Sequence, residues 1–413
     1  MDEERFLSMK RKRKIHKGRI ALVAGVALTL TGGIVWGIHA FVSSRLTTAK
    51  NEDVVEQKEE PADTARITVT GDLLLEDGFV NAFGNGGWGD YMADLSPYFA
   101  NDDWTLANLE VPIAGEALGL AGADYCFNAP AETAKNMKDN SIEYVTLANN
   151  HAMDRSVEGL EKTIQNLDAQ SIGHTGAFLS PEERDAVSFA DVNGIRIGVV
   201  SWTYATNQPA DTDWRVNIFW DAYSDRIAVL MDDIAKAKAQ SDCVIVCMHW
   251  GTEFTYELNE AQTILSQQIA DAGADVIVGN HPHTIQPATW LTGANGNKTL
   301  CFYSLGNLIS SAYLVDRADE MFQDMYEVGA IAQFTLKKTG EKQVEVQDPQ
   351  IIPIVNHFEG EYTNFHIYPL KDYTEQLAQA HSQRQYSTLF TKQWLDEQVN
   401  GVFAPSGIPV LLE

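Results

Sequence analysis

Seven short apolar runs punctuate the chain, and each ends in a polar or glycine-containing turn. They are RITVTGD (66–72), WTLANLE (104–110), YVTLANNH (144–151), IRIGVVSWT (195–203), CVIVCMHWG (243–251), ADVIVGNHPH (274–283) and TLCFYSLGN (299–307). Most are β-rich and apolar at odd and even positions alike, the pattern of strands buried on both faces. Between several of them apolar residues return at helical spacing, over Ser156–Ala169, Asp225–Ala239 and Glu260–Ala272. Alternating strands and helices predict a layered α/β body. GAIAQFTLKKT (329–339) and KQVEVQDPQIIPIV (342–355) predict an antiparallel hairpin, and 370–400 predicts terminal helices.

One apolar run differs in length. Ile20–Val42 is 23 residues without Asp, Glu, Lys or Arg. As a helix it would be about 35 Å long, enough to cross a hydrocarbon core of about 30 Å. It exceeds the 7–15-residue apolar core of a cleaved signal, so it reads as an uncleaved anchor. Charge agrees. Residues 1–45 hold nine Lys and Arg against three Asp and Glu, a net of +6 in a chain of net −27, which leaves −33 for 46–413. The positive-inside rule puts the basic head in the cytoplasm and the acidic body outside a single-pass cell membrane anchor. The predicted organisation is a cytoplasmic basic segment (1–19), a transmembrane anchor (20–42), a polar linker (43–65), the α/β domain (66–358) and a C-terminal helical extension (359–413).

An acidic body argues against a nucleic-acid partner. It also repels a polyanion over about 8 Å at physiological salt, so an anionic polymer would need bound cations or a local basic groove. The four cysteines form no metal-binding CxxC pattern. Cys243 and Cys247 lie on one strand, too far apart to bridge, and read as buried thiols; a Cys126–Cys301 bridge stays open.

The candidate chemistry sits where the strands end, the usual ligand edge of an open α/β sheet. Those ends carry Asp72, Glu110, Asn149, Asn150, His151, His249, His281, His283 and Asn307. Each alone has a plainer role as turn former, helix cap or packed loop residue. Together, Asp, Glu, Asn and His are the ligand set of a borderline divalent metal such as Mn, Fe or Zn. His281 and His283 are two apart, so an extended loop would point both the same way.

GDLLL (71–75), ANLE (107–110), LANNHAMD (147–154), HWGTEF (249–254), GNHPHTIQP (279–287) and YSLGN (303–307) occur in an order that resembles the CapA family of bacterial poly-γ-glutamate capsule synthesis proteins. Its domain resembles calcineurin-like metallophosphatases, which implies a layered αββα sandwich after the transmembrane helix. The resemblance implies metal ligands at Asp72, Glu110, Asn150, His249, His281 and His283, with His151 as the catalytic histidine. Asp154 would orient His151 or cap the next helix. Asn149, Glu253 and Asn307 are candidate substrate contacts, and His174 reads as structural. The sequence departs from the metallophosphatase pattern twice. Leu74 stands where a histidine ligand is usual, and Glu110 replaces the bridging aspartate. Both departures point to one ion, or a second held weakly.

The resemblance implies a membrane-anchored extracellular protein supporting synthesis or export of poly-γ-glutamate or a related polymer. Its partners would be a polymer ligase and a small membrane subunit. Two alternatives stand beside it: a surface metal-dependent hydrolase of a phosphoester or γ-glutamyl amide, and a binding module without catalysis.

Overall fold

The structure, a computed structural model, describes residues 63–84, 86–123, 126–311, 324–360 and 362–413. The predicted anchor at 20–42 lies outside them. Among the described residues no helix is long and apolar enough to cross a membrane.

Two sheets form the body. In the first, β1 (Thr64–Leu73), β2 (Trp104–Leu109), β3 (Tyr144–Thr146) and β4 (Gly173–Thr175) run parallel. In the second, β5 (Ser188–Val192) flanks parallel β6 (Ile195–Thr203), β7 (Cys243–His249), β8 (Val276–Asn280) and β10 (Lys298–Leu305). β9 (Ile285–Thr292) closes the far edge antiparallel to β10. The three-residue β11 (Asn307–Ile309) crosses back to pair with β1. β12 (Val328–Gly340), β13 (Gln343–Glu359) and β14 (Thr363–Pro369) extend the first sheet antiparallel, giving the order β14-β13-β12-β1-β2-β3-β4.

Strand alternation sorts the apolar residues into layers. On β7, Cys243, Ile245 and Cys247 enter a core shared with Ile67, Val69 and Leu106 of the first sheet. Val244, Val246 and Met248 face the other way, onto Leu230, Ile234, Leu265 and Ile269 of helices Arg226–Gln240 and Glu260–Asp271. The outer face of the first sheet packs Ala107, Leu109 and Val145 against Leu160, Ile164 and Leu167 of helix Ser156–Ala169. Burying each such leucine or isoleucine contributes roughly 1.5–3 kcal/mol. The order of layers is therefore helix, sheet, sheet, helix.

The three predicted long helices form within a residue of their expected bounds. Helix Glu260–Asp271 starts at a capping box, in which the Asn259 and Gln262 side chains each accept from the other's backbone N–H,. All four cysteines are free, so no Cys126–Cys301 bridge forms. Cys301 is buried in the outer core of the second sheet, whereas Cys126 is half-buried in a loop. The segment 359–413 is not wholly helical. It opens with β14, because β13 leaves an edge that residues 363–369 can pair,.

Candidate metal centre

Parallel strands bring their carboxyl ends to one edge, and register aligns them. Asp72 on β1 pairs with Asn108 on β2 and with Asn307 on β11. Asn108 pairs with Thr146 on β3, and His249 on β7 pairs with Asn280 on β8. Gly71 makes the first junction possible. A Cβ there would lie 2.0 Å from Gly306 O. Its absence lets Asp72 N–H donate to Gly306 O at 2.9 Å. Gly279 plays the same part on β8, where a Cβ would meet Tyr303 O at 1.9 Å.

The six predicted ligands converge and all are buried. Asp72 Oδ2 lies 3.4 Å from His283 Nδ1, and Glu110 Oε1 lies 3.4 Å from His249 Nε2 and 3.6 Å from His283 Nε2. Asn150 Oδ1 lies 2.9 Å from His249 Nε2. Single donor atoms of Asp72, Glu110 and His249, and of Glu110, His281 and His283, fall within 4.8 Å of one another. That is ligand-sized spacing for one cation or two adjacent ones.

Two atoms in this cluster lack partners. Glu110 Oε1 and His281 Nδ1 are buried and make no hydrogen bond. An unsatisfied buried polar group costs about 1–3 kcal/mol, more if charged. The loop adds backbone strain. His281 has φ 99° and His283 φ 55°, in the region that favours glycine. The His281 N–H donates to Asp72 Oδ2 at 3.2 Å and holds the loop there.

Charge is redistributed by the same crowding. Burial, then the Asp72 charge, pushes the Glu110 carboxyl well above its usual range. Burial works to raise Asp72 as well, but His283, His249 and Asn108 outweigh it and leave it low. Burial drives His249 down to about 3. It also pulls His281 well below the ordinary histidine range, with the neighbouring histidines adding to the effect. His283 is pulled down by burial, yet the bond and charge of Asp72 raise it overall. Two carboxylates, an amide oxygen and three imidazoles with orphaned buried atoms fit a divalent cation.

The surrounding residues orient this set. Asn307 Oδ1 lies 3.0 Å from His283 Nδ1, and Asn307 Nδ2 donates to Tyr326 O at 3.0 Å. Asn149 Nδ2 donates to Leu109 O at 2.7 Å, while its Oδ1 accepts from His151 N–H at 3.1 Å. Both asparagines, expected as substrate contacts, spend their side chains holding ligand loops. Asp154 Oδ2 accepts from His151 Nδ1 and from Phe127 N–H, each at 2.7 Å. Helix Ser156–Ala169 has Arg155 at its N-cap, so Asp154 orients His151 and is not the cap. Glu253 is half-buried, and its charge bears on Glu110, Tyr204 and His283. His174 pairs with exposed Asp168 at 3.3 Å, away from the ligands. Leu74, at the histidine position of the metallophosphatase pattern, packs in the apolar core.

Two residues escaped sequence reasoning. Asn108 Nδ2 donates to Asp72 Oδ1 at 2.7 Å and to Glu110 Oε2 at 3.3 Å, and its Oδ1 accepts from Thr146 at 3.1 Å. Its parity with Glu110 on β2 was the available signal, since alternate residues share a face. Tyr204, whose ring centroid is 4.6 Å from that of His281, carried no signal.

The fold and cluster define a class first: a two-sheet α/β protein whose strand exits build a buried carboxylate–histidine group of the kind that holds divalent cations. Residues 66–312 match the family model "Bacterial capsule synthesis protein PGA_cap", and the chain belongs to that family. It is 27% identical over 309 residues to the PGA biosynthesis protein CapA of Bacillus subtilis, covering 69% of this chain and 74% of that protein. It is 26% identical over 326 residues to the capsule biosynthesis protein CapA of Bacillus anthracis, covering 74% and 72%. Among solved structures, TT1561 of Thermus thermophilus aligns at 10% identity with a TM-score of 0.34, over 68% of this chain and 98% of that one. Purple acid phosphatase PPD1 from yellow lupin seeds aligns at 10% identity with a TM-score of 0.29, over 71% and 54%. Neither score carries an argument.

Proposed function

We propose that this chain is a membrane-anchored extracellular protein that serves synthesis or export of poly-γ-glutamate or a related capsule polymer, through a centre that holds a divalent cation. The orphaned Glu110 Oε1 and His281 Nδ1, facing other ligand atoms at cation-sized spacing, carry the metal part. The names of the Bacillus relatives support the polymer part. The apolar 20–42 run and its basic flank support the anchor and its direction,. Asp72, Glu110, Asn150, His249, His281 and His283 would hold Mn, Fe or Zn, as one ion or two. The partners would be a polymer ligase and a small membrane subunit.

The test is deletion of the gene in its host, followed by assay of surface γ-glutamyl polymer. Polymer should fall and return with the wild-type gene, but not with His281→Ala/His283→Ala. Unchanged polymer after deletion ends the capsule role.

The His151–Asp154 pair favours a second reading, a hydrolase of a phosphoester or γ-glutamyl amide. Asp154 fixes the Nδ1–H tautomer, which leaves Nε2 for proton exchange with a leaving group,. A bound cation would supply an activated water and stabilise charge on the attacked oxygen. Chain loaded with Mn or Zn should then turn over a model phosphodiester or γ-glutamyl amide, and His151→Ala should lose at least 100-fold, the usual worth of a general acid. Cation binding without turnover over a broad panel would leave a binding module.

A further inference from the structure

A concave surface adjoins the cation cluster. It encloses about 640 Å³ and is lined by Thr206, Asn207, Thr212, Trp220 and Asp225 among others. That volume suits a small ligand. Backbone bonds tie its walls to the cluster. Asn207 N–H donates to Asn150 O at 2.7 Å, and Trp220 N–H donates to Tyr204 O at 3.1 Å. Tyr204 N–H in turn donates to His249 O at 3.0 Å.

Trp220 is the unusual wall. It is 60% exposed, whereas Phe219 beside it is 1% exposed. Its φ is 65°, a left-handed conformation that is an outlier for a bulky side chain,. Packing leaves most of this indole uncovered, and strain of this kind gathers at ligand sites. Thr212 Oγ1 is buried with no hydrogen-bond partner.

The lining selects the ligand. An indole face suits the apolar face of a sugar ring or an organic cation. Thr206, Asn207 and Thr212 both give and accept hydrogen bonds, as sugar hydroxyls do, whereas an ammonium group only gives. A polyanion meets the wrong charge. Asp213 and Asp225 line the groove, and its cation, Arg226, is turned to the carbonyls of Ile218 at 3.3 Å and Asp213 at 3.2 Å. The Asp225 side chain makes no capping bond to the helix it precedes.

We propose that this groove binds a neutral saccharide, with one pyranose ring on Trp220 and hydroxyls on Asn207, Thr212 and Asp225. The site is separate from the cation centre and does not depend on a cation being bound. The test is calorimetry on the full chain in detergent with N-acetylglucosamine trimer and maltotriose. Choline and a γ-linked glutamate oligomer are titrated alongside, each with and without chelator. One of the two sugars should saturate at millimolar concentration or below, with equal affinity under chelator. Trp220→Ala should weaken it at least 10-fold while keeping the melting temperature, since the side chain is exposed and strained. Asp225→Asn should weaken it less. Absence of saturation by either sugar up to about 10 mM, equal binding by Trp220→Ala, loss under chelator, or preference for choline or the glutamate oligomer would each overturn the proposal.

Discussion

Two clusters of buried histidines, one at the strand exits where the two sheets meet and one beside β13 of the first sheet, are built on opposite terms. Around His357 and His381 every ring nitrogen has a partner. His357 Nδ1 meets Tyr373 OH at 2.9 Å and Nε2 meets Glu359 Oε1 at 3.4 Å. His381 Nε2 donates to Asn356 O at 2.9 Å, and its Nδ1 accepts from Gln383 N–H at 2.9 Å. Around His281 a ring nitrogen and a carboxylate oxygen are left over, and the backbone is strained. A closed account of donors and acceptors marks a structural histidine. An open one marks a histidine prepared for a ligand the protein itself does not provide.

Removing ligands should widen this contrast most. His281→Ala/His283→Ala should reduce bound metal, read by elemental analysis of the purified chain, at least 10-fold. Wild type should lose melting temperature on chelation, because a ligand that binds only the folded state stabilises it; the double variant should not respond. Metal retained by the double variant would erase the distinction between the clusters.

The sign of the next effect depends on the cation. Glu110→Gln removes a buried acid whose Oε1 has no partner. It should leave chelated protein as stable as wild type or more so, by about 1–3 kcal/mol in urea unfolding. The same variant should abolish the stability gained on adding Mn or Zn. A comparable loss in both conditions would make Glu110 an ordinary structural residue.

The satisfied cluster should answer to pH. Burial holds His381 at about 3, so the folded state binds fewer protons than the unfolded chain once pH drops below about 6.5,. Its contribution is intact above that value and is lost as pH falls toward about 3. Between pH 6.5 and 5 the loss is about 2 kcal/mol. Protonation would set a new N–H at Nδ1 against the Gln383 N–H. His381→Gln should flatten this slope, measured by denaturant unfolding at pH 7 and pH 5. At the small end, His174→Gln should shift stability by less than about 0.5 kcal/mol, since its pair with Asp168 is exposed,.

Much of this was readable beforehand because strands buried on both faces announce themselves as unbroken apolar runs. All seven became strands, and the polar residues that end six of them gathered at the cluster. The hairpin of β12 and β13 was legible from two β-rich runs separated by a short polar turn, although the half of the hairpin next to the turn is not buried. β4 and β11 were not, because neither opens a longer apolar run as the equally short β3 does. β14 alternates too weakly and lies inside the segment 359–413 that was expected to be helical. Asn108 was hidden in plain view within ANLE, because an asparagine between apolar neighbours reads as strand filler until register sets it between Asp72 and Thr146. His381 looked like part of a tail helix. It caps the helix end and turns inward, which only tertiary contacts decide.

The bare Cα of Gly71 gives the molecule a seam. Through it the end of β1 leans on Gly306, the link between a strand of one sheet and a strand of the other. Tension on the Asp72 carboxylate would therefore be shared by both halves of the sandwich. Occupancy of the centre should show up as slower deuterium uptake at the Asp72 amide, a tightening of the stitch that joins the halves.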